Sequence, residues 1–180
     1  SAVFLVRAAR GRTSVERKTA NSEHGPIVYT VTGDADGQVI VLLPGFQSDQ
    51  TGWSSRGYHE LLSDYRVLNV DPIGHGKSAT PHDESAYTTD AVVGHVVSVL
   101  DAEQVDSAHI WGFSRGGFIA GLCAELVAER CSSAIMGGTP FRAAGAAPTT
   151  VSEEMDRGVR CLADGDWAGY WAAYVIPLPA

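Results

Sequence analysis

A glycine-flanked serine, in the segment Gly112-Phe113-Ser114-Arg115-Gly116, stands between two stretches of opposite character. The preceding residues, Ser107–Phe113, form a short, largely apolar run that is typical of a strand. The following residues, Arg115–Arg130, repeat apolar side chains at helical spacing, which predicts an amphipathic helix. A chain that turns from strand to helix over one residue needs small neighbours, because side chains beside the turn would clash. The segment therefore predicts a strained serine raised above the carboxyl end of a strand.

Strand and helix patterns also alternate along the rest of the chain. Val39–Leu43 is a continuous apolar run, as expected of a strand that is buried on both faces. Strands separated by connections of crossover length favour an α/β fold, a mostly parallel sheet with flanking helices, after an initial antiparallel pair. The predicted strands are Arg12–Thr19, Pro26–Thr32, Val39–Leu43, Arg66–Asp71, Ser107–Phe113 and Ser132–Gly138. The predicted helices are a weak one over Trp53–Ser63, then Tyr87–Asp101 and Arg115–Arg130.

Ser114 is the candidate nucleophile. The turn places its hydroxyl at a helix N-terminus, where the helix dipole favours developing negative charge. Acyl transfer at a serine makes a tetrahedral oxyanion, which needs two preorganised N–H donors. One donor is the backbone N–H of Arg115, and the other is expected from a loop after an earlier strand, where Phe46 follows Pro44-Gly45. The sequence predicts an oxyanion hole made by the backbone N–H groups of Phe46 and Arg115. For the segment that contains Phe46, the alternative is a simple Pro-Gly turn that ends the strand.

A second glycine-rich segment, Asp71-Pro-Ile-Gly-His-Gly-Lys-Ser78, contains the triplet Gly-Lys-Ser found in phosphate-binding loops. That motif also requires a glycine at the position of Asp71 and a helix directly after the serine. The chain has neither, because Ala79-Thr-Pro-His-Asp83 has loop character. The segment is therefore not predicted to bind a nucleotide.

Together, these three segments resemble the α/β-hydrolase superfamily, in its capped, esterase-like branch. The matching motifs are Leu43-Pro-Gly-Phe46, Asp71-x-x-Gly-x-Gly-x-Ser78 and Gly112-Phe-Ser-Arg-Gly116, and the resemblance covers about Thr13 to Pro140. The resemblance implies that the Asp71 motif is structural, so neither Asp71 nor His75 is assigned a catalytic role. The family's first motif usually begins with His where this chain has Pro44. The change alters the support of the loop, but the expected donor is a backbone N–H and does not depend on that side chain.

The resemblance also implies a division of the chain into residues 1–140, an α/β-hydrolase core, and residues 141–180, the start of a helical cap. The expected cap helices are Ser152–Ala163 and Asp166–Tyr174. Four aromatic side chains in the second of these would suit an apolar lining of the site, or would pack the helix against the core: Trp167, Tyr170, Trp171 and Tyr174.

No histidine follows Ser114, although the family's order is serine, acid, then histidine. Asp156, Asp164 and Asp166 fall in the expected cap and are not persuasive as the acid. We expect a sheet truncated after about its sixth strand, with acid and base supplied beyond residue 180 or by another chain. Either further polypeptide or another chain, as a partner or in a homo-oligomer, is then expected to cover the open edge at Ser132–Gly138. As substitute bases within the chain, only the loop residues His75 and His82 are candidates.

Composition excludes several other classes of function. The formal net charge of −8 disfavours nucleic acids and anionic membranes as partners. Three cysteines without paired spacing argue against a disulfide framework and for a reducing, cytoplasmic compartment. Neither a metal nor an organic cofactor is implied by the motifs.

The function predicted from the sequence is a serine hydrolase that acts on a small, largely apolar substrate. Family epoxide hydrolases and haloalkane dehalogenases use aspartate at the elbow, so Ser114 points to attack on an ester, thioester or related carbonyl. Two alternatives remain. One is an inactive hydrolase fold that serves as a binding or assembly module, which the missing histidine favours. The other is a cofactor-independent oxygenase or lyase on the same scaffold.

Overall fold

A computed structural model describes residues 15–138 and residue 164. Its six strands form one sheet. The strands are β1 (Glu16–Ser22), β2 (Gly25–Gly33), β3 (Val39–Leu43), β4 (Arg66–Val70), β5 (Ala108–Phe113) and β6 (Cys131–Gly137). The α-helices are α1 (Thr51–Ser54), α2 (Tyr58–Leu61), α3 (Thr89–Ala102) and α4 (Arg115–Leu126), and short 3-10 turns occupy Glu84–Tyr87 and Ala128–Arg130.

The strand order across the sheet is β1-β2-β4-β3-β5-β6. β1 with β2 and β2 with β4 are antiparallel, whereas the pairs β4–β3, β3–β5 and β5–β6 are parallel. This topology confirms the predicted α/β fold with its mostly parallel sheet. Among the described residues no strand pairs with the outer edge of β6, so its cover by further polypeptide or a partner stays a prediction.

The core has one layer on each face of the sheet. β3 lies in the middle, and its Val41, Leu42 and Leu43 are completely buried. On one face, α3 and α4 contribute Val96, Val99, Leu100, Ile119 and Cys123 to the larger cluster. On the other face, α1 and α2 are held by three aromatic rings at centroid distances of 4.8 to 5.6 Å: Trp53, Tyr58 and Trp111.

Two predicted helices differ from the observed ones. The single helix expected over Trp53–Ser63 is two one-turn helices, because Gly57 between them adopts a left-handed conformation (φ 77°) that an α-helix does not allow. The helix expected to reach Arg130 ends at Leu126, and a 3-10 turn leads into β6. In both segments the apolar spacing is helical over a longer stretch than the backbone, which leaves the helical conformation at Gly57 and after Leu126.

A buried carboxylate ties the start of the sheet to the end of α3. Glu103, directly after α3, accepts a hydrogen bond from the Tyr29 hydroxyl at 2.6 Å. Its carboxylate also pairs with Lys18 at 3.2 Å and with Arg66. Burial alone would raise the pKa of Glu103, but the Tyr29 hydrogen bond and the two cations outweigh it and lower that pKa. This network links three strands to one helix.

The predicted cap lies almost wholly outside the described residues. Of residues 141–180 only Asp164 is described, as an exposed turn residue, so the domain boundary, the cap helices and their aromatic lining stay predictions. Within the described part of the chain, none of the helices has the length and apolar character needed to cross a bilayer.

Candidate active site

Ser114 forms the junction between β5 and α4. Its backbone has φ 52° and ψ −116°, one of three positive φ values at non-glycine residues of the described chain. The strain is held in place from both sides. The Ser114 N–H donates to the Gly137 carbonyl at 2.7 Å, and its carbonyl accepts from the Phe118 N–H at 3.0 Å. The predicted strand–serine–helix turn is therefore present, with the serine in a conformation that favours glycine.

The glycines around Ser114 are required by close backbone contacts. A Cβ on Gly112 would lie 1.9 Å from the Gly116 carbonyl oxygen. A Cβ on Gly116 would lie 2.1 Å from the carbonyl oxygen of Leu43, at the end of β3. Because these neighbours are backbone atoms, they cannot move aside as a flexible side chain would. The glycines thus let α4 start directly against the ends of β3 and β5.

The loop after β3 lies beside Ser114. Leu43 pairs with Gly112, so the chain segments that follow β3 and β5 leave the sheet next to each other. A Cβ on Gly45 would lie only 3.4 Å from the Ser114 Cβ. The turn is closed by the Ser48 N–H, which donates to the Gly45 carbonyl at 3.2 Å, and Gln47 in it has φ 59°. Phe46, in the loop after β3, and Arg115, at the start of α4, therefore lie in adjoining segments, and their role as oxyanion donors stays a prediction.

Asp71 anchors this loop from below. Its carboxylate is buried and accepts hydrogen bonds from the Gln50 N–H at 2.8 Å, the Gln50 side-chain amide at 3.0 Å and the Lys77 N–H at 3.0 Å. It thus connects the loop after β3 with the loop after β4. The structural role implied by the resemblance agrees with these contacts. The sequence did not reveal Gln50, which lies 21 residues away and belongs to no motif.

Ser78 closes the loop after β4 rather than opening a phosphate site. Its hydroxyl donates to the Asp71 carbonyl at 2.5 Å and accepts from the Val28 N–H at 2.8 Å. The loop is followed by a short 3-10 turn, with α3 starting only at Thr89. A Cβ on Gly76, which has φ 55°, would lie 2.3 Å from the Asp71 carboxyl carbon. These contacts agree with the exclusion of a nucleotide-binding loop.

His75 lies between the loop after β3 and the start of α4. Its Nε2 accepts from the Gln47 N–H at 3.3 Å, and its Nδ1 is 3.1 Å from the Ile73 carbonyl oxygen. The Phe46 ring packs edge-on to it at a centroid distance of 5.8 Å, and Arg115 Nη1 is 3.4 Å from Nδ1. Both ring nitrogens already have backbone partners, which disfavours His75 as a substitute base. The other candidate, His82, is exposed on the same connection.

The remaining described histidines make structural contacts. His95 is buried on α3 with Nε2 3.3 Å from His24 Nδ1, and burial, with the charges of His24 and Arg115, lowers the pKa of His95 to about 4. His109 Nδ1 is 2.8 Å from the Ser133 hydroxyl, across the β5–β6 pair. His59 Nε2 is 3.0 Å from the Asn69 amide nitrogen. Each of these rings is thus paired with a group other than Ser114.

A family model described as the alpha/beta hydrolase fold matches residues 38–160, which include all three motifs. The chain belongs to the α/β-hydrolase fold family. It is 31% identical over 112 residues to epoxide hydrolase B of Mycobacterium tuberculosis. The aligned segment makes up 62% of this chain and 32% of that protein. It is 28% identical over 129 residues to a serine hydrolase-like protein of Danio rerio. That aligned segment makes up 69% of this chain and 39% of that protein.

Solved structures show the same α/β-hydrolase fold. A hydrolase from Pseudomonas aeruginosa PA01 superposes with a TM-score of 0.70 at 24% identity, over 94% of this chain and 61% of that one. The chain spans only 32% to 39% of the length of the two curated relatives named above. The resemblance inferred from the motifs is thus confirmed for family and fold, while the chemistry depends on the site itself.

Proposed function

We propose that the protein is a serine hydrolase in which Ser114 attacks the carbonyl of a small, largely apolar ester or thioester. The observation that carries the proposal is the Ser114 backbone, held at φ 52° and ψ −116° between β5 and α4. Such strain costs about 1–3 kcal/mol and persists only where the surroundings impose it, which is characteristic of functional positions. An ordinary structural turn at this point would be better served by glycine.

The surroundings support attack on a carbonyl. The hydroxyl adds to the carbonyl carbon, and negative charge develops on the carbonyl oxygen. That charge would meet the backbone N–H of Arg115, the first residue of α4, and the N–H of Phe46 in the adjoining loop. The oxyanion then collapses to an acyl-enzyme, and the alcohol or thiol leaves with the proton that the serine hydroxyl lost. Water hydrolyses the acyl-enzyme and releases the carboxylic acid product.

Exposed aromatic side chains near the junction support an apolar substrate. Phe113 precedes Ser114, Phe118 donates its N–H to the Ser114 carbonyl, and Phe46 lies in the adjoining loop. All three rings are exposed in the described structure. Exposed large apolar side chains at such a junction could contact an apolar substrate.

The general base and its acid are proposed to come from polypeptide outside these 180 residues, either a later part of the same protein or a second chain. No histidine follows Ser114 in the sequence, and five of the six before it are paired as described above. A serine needs a neighbouring base to become a useful nucleophile. The proposal thus assigns Ser114 and the oxyanion hole to this chain and proton transfer to another segment.

Labelling with a fluorophosphonate probe tests the proposal on the full-length protein. We expect one adduct at Ser114, no adduct in Ser114→Ala, and normal labelling in Ser63→Ala, whose serine is exposed between α2 and β4. The same protein should hydrolyse p-nitrophenyl butyrate and leave styrene oxide intact. Equal labelling of native protein and Ser114→Ala would refute the assignment. An unlabelled, folded protein that still binds small esters would favour the inactive binding module.

A further inference from the structure

His75 connects three parts of the candidate site. It lies on the loop after β4. Its ring contacts the backbone of Gln47, packs against the ring of Phe46 and approaches the side chain of Arg115. Gln47 and Phe46 belong to the loop that would supply one oxyanion donor, and Arg115 would supply the other.

The partners of the two ring nitrogens define one protonation state. The Gln47 N–H can only donate, so Nε2 must carry a lone pair. The Ile73 carbonyl can only accept, so Nδ1 must carry the hydrogen. Only the neutral ring with hydrogen on Nδ1 satisfies both contacts. In that state Arg115 Nη1, 3.4 Å from Nδ1, acts as a nearby positive charge rather than a hydrogen-bond donor.

The charges around His75 are consistent with the neutral state. Arg115 reaches it from α4, Asp71 from the end of β4, and Asp49 from the loop after β3. Burial is the main cause that lowers the pKa of His75, and Arg115 lowers it further. The Ile73 hydrogen bond and the two carboxylates act in the opposite direction without overcoming it. Two more titratable groups border this loop: Lys77 within it, and Tyr87, whose hydroxyl packs against Gly74.

The Gln47 contact matters because of the backbone conformation it supports. Gln47 has φ 59°, in the left-handed region that residues other than glycine rarely adopt, so neighbouring groups must hold it there. The hydrogen bond to His75 restrains the peptide between Phe46 and Gln47. The Phe46 N–H belongs to the preceding Gly45–Phe46 peptide, which shares the Phe46 Cα with the restrained peptide, so a shift of the restrained peptide would be passed through that Cα to the Phe46 N–H.

We propose that His75 is a positioning residue for the oxyanion hole: as the neutral ring with hydrogen on Nδ1, it holds the Phe46–Gln47 peptide so that the Phe46 N–H faces the oxyanion formed at Ser114. This inference rests on the proposed function. It assigns His75 no proton transfer, because the Nε2 lone pair that a base would use is already accepting from Gln47.

Two substitutions separate this role from a general structural one. Glutamine can place a carbonyl oxygen near the position of Nε2 and accept from Gln47, whereas leucine fills similar space without an acceptor. Removing one oxyanion donor typically costs about 10²–10³ in rate, so a displaced donor should cost at least about tenfold. We expect His75→Leu to lower kcat for p-nitrophenyl butyrate and the rate of fluorophosphonate labelling by at least about tenfold, with KM nearly unchanged.

His75→Gln should restore most of both rates, and Glu84→Gln, at an exposed position on the same connection, should match the native protein. Rates are compared only between variants whose circular dichroism spectra match that of the native protein. A His75→Leu protein that reacts at the native rate would overturn the inference. So would a folded His75→Gln protein that is as slow as the leucine variant, because the acceptor would then not matter.

A measurement on the unmodified protein covers the case in which the leucine variant does not fold. Nitrogen-15 NMR of the His75 ring at neutral pH should show hydrogen on Nδ1 and a lone pair on Nε2. Hydrogen on Nε2, or a doubly protonated ring, would contradict the inference. Failure of the proposed function looks different: the native protein would then leave Ser114 unlabelled, whatever the state of His75.

Discussion

Replacing Ser114 by glycine should make the protein more stable while abolishing its chemistry. The serine backbone at φ 52° and ψ −116° lies where residues with a Cβ are strained by about 1–3 kcal/mol. Glycine adopts these angles freely, but it loses about 0.5–1 kcal/mol through the greater freedom of the unfolded chain. The difference predicts a gain of about 1 kcal/mol in the free energy of unfolding for glycine relative to alanine at this position.

Alanine is the reference because it keeps the Cβ, and therefore the strain, while it removes the hydroxyl and its contacts. The comparison of Ser114→Gly with Ser114→Ala thus isolates the backbone effect. A matched pair at Ser98, inside α3, should give the opposite sign. There the backbone is regular helix, and glycine should be about 1 kcal/mol less stable than alanine.

Urea unfolding followed by tryptophan fluorescence measures both pairs. With urea m-values of about 1–3 kcal/mol/M, a change of 1 kcal/mol moves the midpoint by roughly 0.3–1 M. The m-values should be equal within each pair, since the folded structure is the same. If Ser114→Gly unfolds at the same or a lower urea concentration than Ser114→Ala, the elbow is not strained, and the main support for the proposed function is lost.

Two further predictions concern stability. Gly116→Ala should destabilise the protein by about 3 kcal/mol or prevent folding, because its Cβ would lie 2.1 Å from the Leu43 carbonyl oxygen; a native-like urea midpoint would contradict this. Glu103 has a lowered pKa in the folded protein, so its contribution to stability is complete above the ordinary glutamate pKa and is lost as the pH falls through the lowered value. Urea midpoints of native protein should therefore fall more between pH 6 and pH 3 than those of Glu103→Gln; parallel curves would refute the role of the Tyr29–Glu103 network.

Local sequence was sufficient for the parts of the fold that depend on near neighbours. The strand β3 was predicted with its observed ends, since an unbroken apolar run is stable only with both faces covered. The turn at Ser114 was predicted because glycines at fixed offsets permit only a few backbone paths. The helix over Trp53–Ser63 was predicted less well, since a residue such as Gly57 can sit within a helix or interrupt one.

Contacts between loops could not be predicted in the same way. His75 and Gln47 are 28 residues apart, and Gln50 and Asp71 are 21 apart, so no local pattern links them. These loops meet because β3 lies between β4 and β5, which places the carboxyl ends of three parallel strands side by side. Strand order arises from packing of the whole sheet, and a histidine on such a loop looks the same in sequence whether it is solvated or bound.

Sequence alone predicted the family, the strained position of Ser114 and the two segments proposed to stabilise an oxyanion, because each depends on residue types at short, fixed spacings. Tertiary structure decided which groups support those loops and which partners surround the His75 ring, from which we infer its protonation state. That state depends on a donor from one loop, an acceptor from another and the charge of Arg115 on a helix. Such an electrostatic environment exists only once distant segments have packed together, since charge effects and hydrogen bonds act over a few ångströms of space rather than along the chain.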